Sequence, residues 1–265
     1  LGGGGSALAT GLAQAVQPDR LSDPTLWGAS PTFGFRKFRF QPKTLLRSLP
    51  LGVADCSIEF MLGFLTVLYN NLLFLLFGES HQTIYAVIAY LSLLVFMVMQ
   101  GIAQGMMPLV SVAVGKGDRK AIRFYFLRSL VLVVGAEVLI VAACLLLPQR
   151  FAAILLSTDS PLFTQAVAAL RQYALSYLLA GINILLAGFF TALGHGKASC
   201  LLSLSRGFVL LPAAILVLSH LTGGQAIWIA ALAGEGLSFV LGLVLLKRIT
   251  ASPAPLPAQE AEPAV

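Results

Sequence analysis

The chain has 265 residues, of which 58% are hydrophobic and only 11% charged, and its mean hydropathy is +0.89, against roughly a quarter charged in a soluble domain. This excludes a large soluble domain and leaves room for about six membrane-spanning helices of about 20 residues each. The net charge of +6 sits in clusters beside apolar runs, the pattern of the positive-inside rule, so no nucleic-acid partner is expected.

In chain order, residues 1–15 open with Gly2 to Ala9, which fall on Gly223 to Ala230 at a constant offset, with Gln14 on Glu235. This echo reads as the remnant of the last helix of a preceding repeat. Residues 16–49 form a basic cytoplasmic linker, and Phe35 to Phe40 interleave aromatic and basic residues. A segment lying on the membrane surface and a flexible linker fit that stretch equally. Apolar runs then give six helices at about 51–77, 84–114, 126–147, 173–193, 199–219 and 225–246. The stretch between the third and fourth is too polar to span, yet Phe151, Ile154, Leu155, Phe163 and Val167 suggest one or two short amphipathic helices at the outer interface. The lobe is taken as 50–248, and the Pro-, Ala- and Glu-rich residues 249–265 are expected to be a disordered cytoplasmic tail.

Basic residues alternate between loops. Arg36, Lys37, Arg39, Lys43 and Arg47 precede the first helix, Lys116, Arg119, Lys120 and Arg123 separate the second from the third, and Lys197, Lys247 and Arg248 mark the later basic ends. Both ends of the six-helix unit are therefore expected in the cytoplasm of a cell containing it in its inner membrane. Cys56, Cys144 and Cys200 are odd in number and widely spaced, which argues against a disulfide framework or structural metal. No phosphate-binding G-x-x-x-x-G-K-[ST] loop, H-E-x-x-H or G-x-S-x-G motif occurs, so an enzyme is not expected.

Ionisable groups inside a bilayer cost several kcal/mol, about 2.5–3.5 on insertion scales, and so mark sites by default. Glu59 lies about 12–13 Å into the first helix, on a stripe with Cys56, Gly63, Thr66 and Asn70. It reads either as a carboxylate that exchanges a proton or Na⁺, or as a hydrogen-bonding strut between helices. The second helix carries Gln100, Gln104, Pro108 and Ser111 beside a Gly101/Gly105 pair that would admit a close neighbour. For the glutamines, interhelical glue and pore lining are equally open. Glu235 and Asn183 sit near half depth, and Tyr177 lies closer to the outer side. Glu137 lacks a polar stripe and reads as a packing feature, Arg206 as a residue able to snorkel to the cytoplasmic end, and Pro212 as a kink.

Together these residues resemble the multidrug and toxic compound extrusion (MATE) family, in its carboxy-terminal six-helix lobe. The resemblance rests on Gly101-Ile-Ala-Gln104-Gly105-Met-Met-Pro108-Leu-Val-Ser111 running to Gly115-Lys-Gly-Asp118. It rests also on Asn183 followed by Gly188 and Ala192 to Lys197, and on Arg206 with Pro212 and Gly224 to Glu235. It implies an all-α, two-lobe antiporter driven by H⁺ or Na⁺, with no cofactor beyond that ion, exporting amphipathic or cationic small molecules. The resemblance places Glu59 and Asn183 at a cation or proton site, which Gln104 and Glu235 are expected to join from their depth; Asn70, Gln100, Tyr177 and Ser111 are expected along a substrate path, and Pro108 and Pro212 as hinges. Asn183 stands where the Na⁺-coupled branch has a second acid. The expected partners are membrane lipids and either a missing amino-terminal lobe or a second copy. The competing readings are a non-transporting membrane remnant and a flippase of related fold for lipid-linked sugars.

Overall fold

The computed structural model describes residues 60–251 except Leu62, all within the second of the two units into which the chain divides, Leu46–Val265. Every regular element among the described residues is helical. In chain order these are α1 (Gly63–Phe77), α2 (Ser80–Gly115), α3 (Arg119–Leu146), α4 (Pro148–Leu155), α5 (Phe163–Ala174), α6 (Tyr177–Ala192) and α7 (Gly196–Leu204). A π-helical turn (Ser205–Leu210), α8 (Leu211–Leu221) and α9 (Ala230–Ala251) complete the set. The molecule is a polytopic helical bundle of the membrane. Four stretches, namely α2, α3, the Gly196–Leu221 run and α9, are each long and apolar enough to cross a bilayer, and α5 with α6, bent by 43°, is long and apolar enough to do so as a pair. The expected first helix is described only in its second half. Glu59 and Cys56, like the segments 1–49 and 252–265, lie outside the described residues.

Turn chemistry sets the helix ends. Gly117, at φ 69°, closes α2, and the next amide, of Asp118, reaches back to the Ala113 carbonyl at 3.0 Å. Asp118 then caps α3, its carboxylate accepting from the Lys120 and Ala121 amides at 3.0 and 2.9 Å. Gly194 (φ 78°) ends α6 in the same way, the His195 amide donating to the Phe190 carbonyl at 2.9 Å. A left-handed glycine followed by such a long-reach bond satisfies carbonyls that the helix end would otherwise orphan.

The bundle is organised around α6, which buries Asn183 and ten neighbours among its 16 residues and packs against α2, α3, α7 and α9. By contrast α3 buries only Val133, Glu137, Val141 and Cys144, one stripe at a helical repeat. Its other faces expose apolar side chains such as Val131, Leu132, Val138 and Leu139, as suits a helix at the edge of a membrane bundle. Lipid is as apolar as leucine, so close packing rather than burial from water holds such helices together. At Gly234 of α9 the close approach reaches the backbone: a Cβ there would stand 2.8 Å from the Leu211 Cα of α8.

Two expected helices are broken. The fourth begins as α5, bends at Leu175–Ser176 and continues as α6, with the Ser176 hydroxyl donating to the Tyr173 carbonyl at 2.7 Å. Side-chain bonding of this kind to a nearby carbonyl competes with the helical ladder and bends it. Residues expected to lie at the interface thus include the first arm of a bent crossing. The fifth helix widens into the π turn ahead of Pro212, where the Leu211 amide donates to the Arg206 carbonyl, five residues back. Proline has no amide proton and its ring crowds the carbonyl four residues before it, so the preceding turn relaxes to a wider repeat. Pro108, in contrast, lies inside an unbroken α2.

Gly234→Ala is expected to force α8 and α9 apart and destabilise the protein by about 1–3 kcal/mol, lowering its unfolding temperature in detergent. Gly135→Ala, whose added carbon meets nothing within 4 Å, is expected to leave that temperature nearly unchanged. Equal responses would show that the α8–α9 contact is not made as described.

Candidate functional site

A charged cluster occupies the interior where α6, α9 and the π turn meet. Arg206 grips Glu235 side-on, with its Nη2 donating to Oε1 at 2.7 Å and its Nε to Oε2 at 2.9 Å. Both side chains are only 4% exposed. On the other flank the Asn183 Nδ2 donates to Glu235 Oε2 at 2.7 Å and to the Glu235 carbonyl at 3.0 Å, while Asn183 Oδ1 is buried without a partner. The Arg206 guanidinium lies over the Phe96 ring, 5.9 Å from its centroid. The pair is formally neutral, and its bidentate geometry is the arrangement that best offsets the desolvation of two buried ions.

A second buried carboxyl lies nearby. Glu137 of α3 accepts from the Gly181 and Ile182 amides of α6 through Oε1, at 2.7 and 3.2 Å. Gly181 makes this possible, because a Cβ there would stand 2.6 Å from Glu137 Oε1 and 2.7 Å from Met99 Sδ. Glu137 is therefore a polar link from α3 to α6 rather than a packing residue.

Toward the α1 side the helices leave a cleft of about 480 Å³, lined by Thr66 and Asn70 of α1, Tyr85, Ser92 and Phe96 of α2, and Tyr173 of α5. Its aromatic wall is continuous. Tyr69 stacks on Tyr85 with centroids 4.6 Å apart and meets Tyr173 edge-on at 6.1 Å. Tyr173 meets Tyr177 at 5.7 Å, and Tyr177 shares a 2.8 Å hydrogen bond with Ser92. Phe96 belongs to both regions: it lines the cleft and carries the Arg206 guanidinium. Aromatic faces and a few hydroxyl and amide groups bind flat amphiphiles and, through the ring quadrupole, cations.

Of the residues singled out from sequence, the fold brings Asn183 and Glu235 into direct contact and places Asn70 on the cleft. Tyr177 is fully buried behind Ser92. Gln100 is half-buried with Oε1 unpartnered. Gln104 and Pro108 are exposed on α2, away from the cluster, as is Ser111, whose hydroxyl donates to the Ala192 carbonyl at 3.4 Å. Among the described residues no neighbour comes within 4 Å of a Cβ built at Gly101 or Gly105, whose spacing suggested a close helix. Arg206 does not snorkel; it turns inward to Glu235. Sequence carried one signal for that pairing: an arginine part-way down one apolar run and a glutamate at half depth in the next. The described residues contain no group of three or more His, Cys, Asp or Glu able to hold a metal ion.

A bent, glycine-packed helical bundle with a neutralised charge pair in its interior and an aromatic cleft beside it defines the chain as a polytopic membrane protein. The chain matches the MatE family model across residues 50–216 and belongs to that family. A probable multidrug resistance protein NorM of Brucella suis biovar 1 is 30% identical over 177 residues, covering 64% of this chain and 38% of the relative. Among solved structures, MATE in complex with MaL6 superposes at a TM-score of 0.73 with 21% identity, over 83% of this chain and 50% of that one. A MOP superfamily transporter from Pyrococcus furiosus superposes at 0.72 with 21% identity, over 83% and 50%. The chain thus spans about half the length of the structures it resembles and less of its curated relative.

Asn183→Asp would replace a donor with a second acid 2.7 Å from Glu235 Oε2 and give the cluster a net negative charge. Two carboxylates at that distance require a proton or cation between them. The variant is expected to become more thermostable as pH falls or Na⁺ is added, while the wild type responds to neither at this site. A variant indifferent to both would show that Asn183 and Glu235 do not face each other.

Proposed function

We propose that this chain provides the carboxy-terminal six-helix lobe of an H⁺- or Na⁺-coupled antiporter that exports amphipathic or cationic compounds by alternating access. The observation carrying this reading is the cleft. Gly63, Thr66 and Asn70 line it, and continuing their helical repeat one turn back along the sequence reaches Glu59. Glu59 is the coupling group in this proposal: it takes up the proton or Na⁺ in one state and releases it in the other, biasing how α1, α2 and the α5–α6 arm pack. Asn183 and Glu235 have a supporting role in this proposal: both carboxylate oxygens of Glu235 are engaged by Arg206 and the Asn183 amide, which disfavours direct cation capture by that carboxylate. No cofactor beyond the coupling ion is invoked.

The exposed α2 face with Gln104, Gly105 and Pro108 supports an opposing wall supplied by another lobe, since small and polar residues on a membrane helix mark contact with protein rather than lipid. The alternation of basic loops supports an inner-membrane location with both ends of the unit in the cytoplasm. A flippase for lipid-linked sugars is less well supported: a diphosphate would need free cations in the interior, and Arg206 is held by Glu235.

In proteoliposomes carrying the natural full-length protein, an imposed H⁺ or Na⁺ gradient is expected to drive transport of a cationic dye. Glu59→Gln is expected to reduce that gradient-driven flux about tenfold or more, equivalent to about 1.4 kcal/mol of coupling, with Glu59→Asp retaining most of it. Undiminished coupling in Glu59→Gln would remove this residue from the mechanism.

A further inference from the structure

On α3, Arg119, Ile122, Arg123 and Phe126 recur at helical spacing, and on α9 Leu243, Leu246, Lys247 and Thr250 do the same. The two stripes border a groove of about 530 Å³, within the range of about 300–1,000 Å³ typical of small-ligand sites. Between them Phe189 of α6 also lines it, its ring centroid 4.2 Å from that of Phe126. Both α3 and α9 pack on α6, so the groove lies between two helices that share a common support.

The groove is basic at one end and apolar along the rest of its length. Arg119 and Arg123 stand at the start of α3 and Lys247 in the last turns of α9, so antiparallel helices place all three cations at one membrane surface, that of the basic loops. Below them the lining is aliphatic and aromatic. Among the described residues no carboxylate neutralises these cations: the one ion pair is Arg206–Glu235, and the nearest acid in sequence, Asp118, caps α3 through two backbone amides. α6 contributes Phe189 to the lining and no charge.

We propose that this groove binds an anionic glycerophospholipid of the leaflet facing the basic loops, its phosphate held among Arg119, Arg123 and Lys247 and an acyl chain lying along Phe126, Phe189 and Leu243. Charge complementarity selects this occupant. A cationic amphiphile, the class assigned to the cleft, is repelled by three unneutralised cations, a zwitterionic lipid brings its own positive group to the same place, and a free phosphate gains nothing from the apolar floor. Basic pockets between membrane helices are suited to such headgroups. The lipid bridges α3 and α9 across the gap between them.

The test is native mass spectrometry of the full-length protein in detergent, titrated with phosphatidylglycerol, phosphatidylcholine or inorganic phosphate. Phosphatidylglycerol is expected to bind in preference to phosphatidylcholine. Each of Arg119→Gln, Arg123→Gln and Lys247→Gln is expected to weaken its affinity about fivefold, and the triple variant about a hundredfold. A control triple variant, Lys116→Gln/Lys120→Gln/Arg248→Gln, removes the same charge outside the groove lining and is expected to leave affinity nearly unchanged. If the groove triple variant does not fold, the three single variants carry the same test. Equal losses in groove and control variants, equal binding of phosphatidylcholine, or full competition by inorganic phosphate would each overturn the proposal.

Discussion

Inside a bilayer an unpaired charge has nowhere to find water, and this constraint shapes the centre of the lobe. Arg206 and Glu235 arrive on different helices and are both driven to the same point, because each is tolerable there only in the presence of the other. Meeting that condition fixes several things at once. The π turn at Ser205–Leu210 carries Arg206, Gly234 lets α9 approach α8 to backbone contact, and Asn183 ties the same carboxylate to α6. Three crossings are thereby locked in rotation and depth, which lipid-facing leucines alone would not achieve.

The cluster and the cleft are physically continuous. Phe96 presents one face to the guanidinium and its edge to the aromatic chain that ends at Tyr69. On the far side Glu137 bonds α3 to α6 just beyond the break between α5 and α6. The α5–α6 pair, bent by 43°, thus carries Tyr173 on one arm and Tyr177 on the other, and Glu137 ties the second arm to α3.

Much of this was legible in the sequence, and what was not has identifiable reasons. Runs of apolar residues and the alternation of basic loops mark the crossings because hydrocarbon thickness and loop charge act on the chain locally. Asn183 and Glu235 stood out because polarity at half depth is rare. Their contact with each other was not legible, since it depends on the rotation of two helices about their own axes. Arg206 was expected to reach for the surface on depth alone; only the neighbouring helix reveals that a carboxylate lies closer than water. Glu137 looked inert because its partners are backbone amides, which leave no mark in a side-chain pattern. The Gly101/Gly105 pair announced a close neighbour, yet among the described residues none is present; helices come together instead at Gly181, which lies in no such motif, and at Gly234, within the small-residue repeat Ala230, Gly234, Ser238 and Gly242. Pro212 signalled an irregularity without specifying that the turn before it would widen.

The central claim is that the Arg206–Glu235 pair holds α9 to the π-turn crossing, and a double-mutant cycle on equilibrium stability in mild detergent tests it most directly. Arg206→Met and Glu235→Gln each leave a buried ion without its partner and are predicted to cost about 3–5 kcal/mol. The double variant is predicted to cost far less than their sum, because no uncompensated charge remains. Additive losses would contradict the account, showing that the two side chains contribute independently and that the interior is not organised by their pairing.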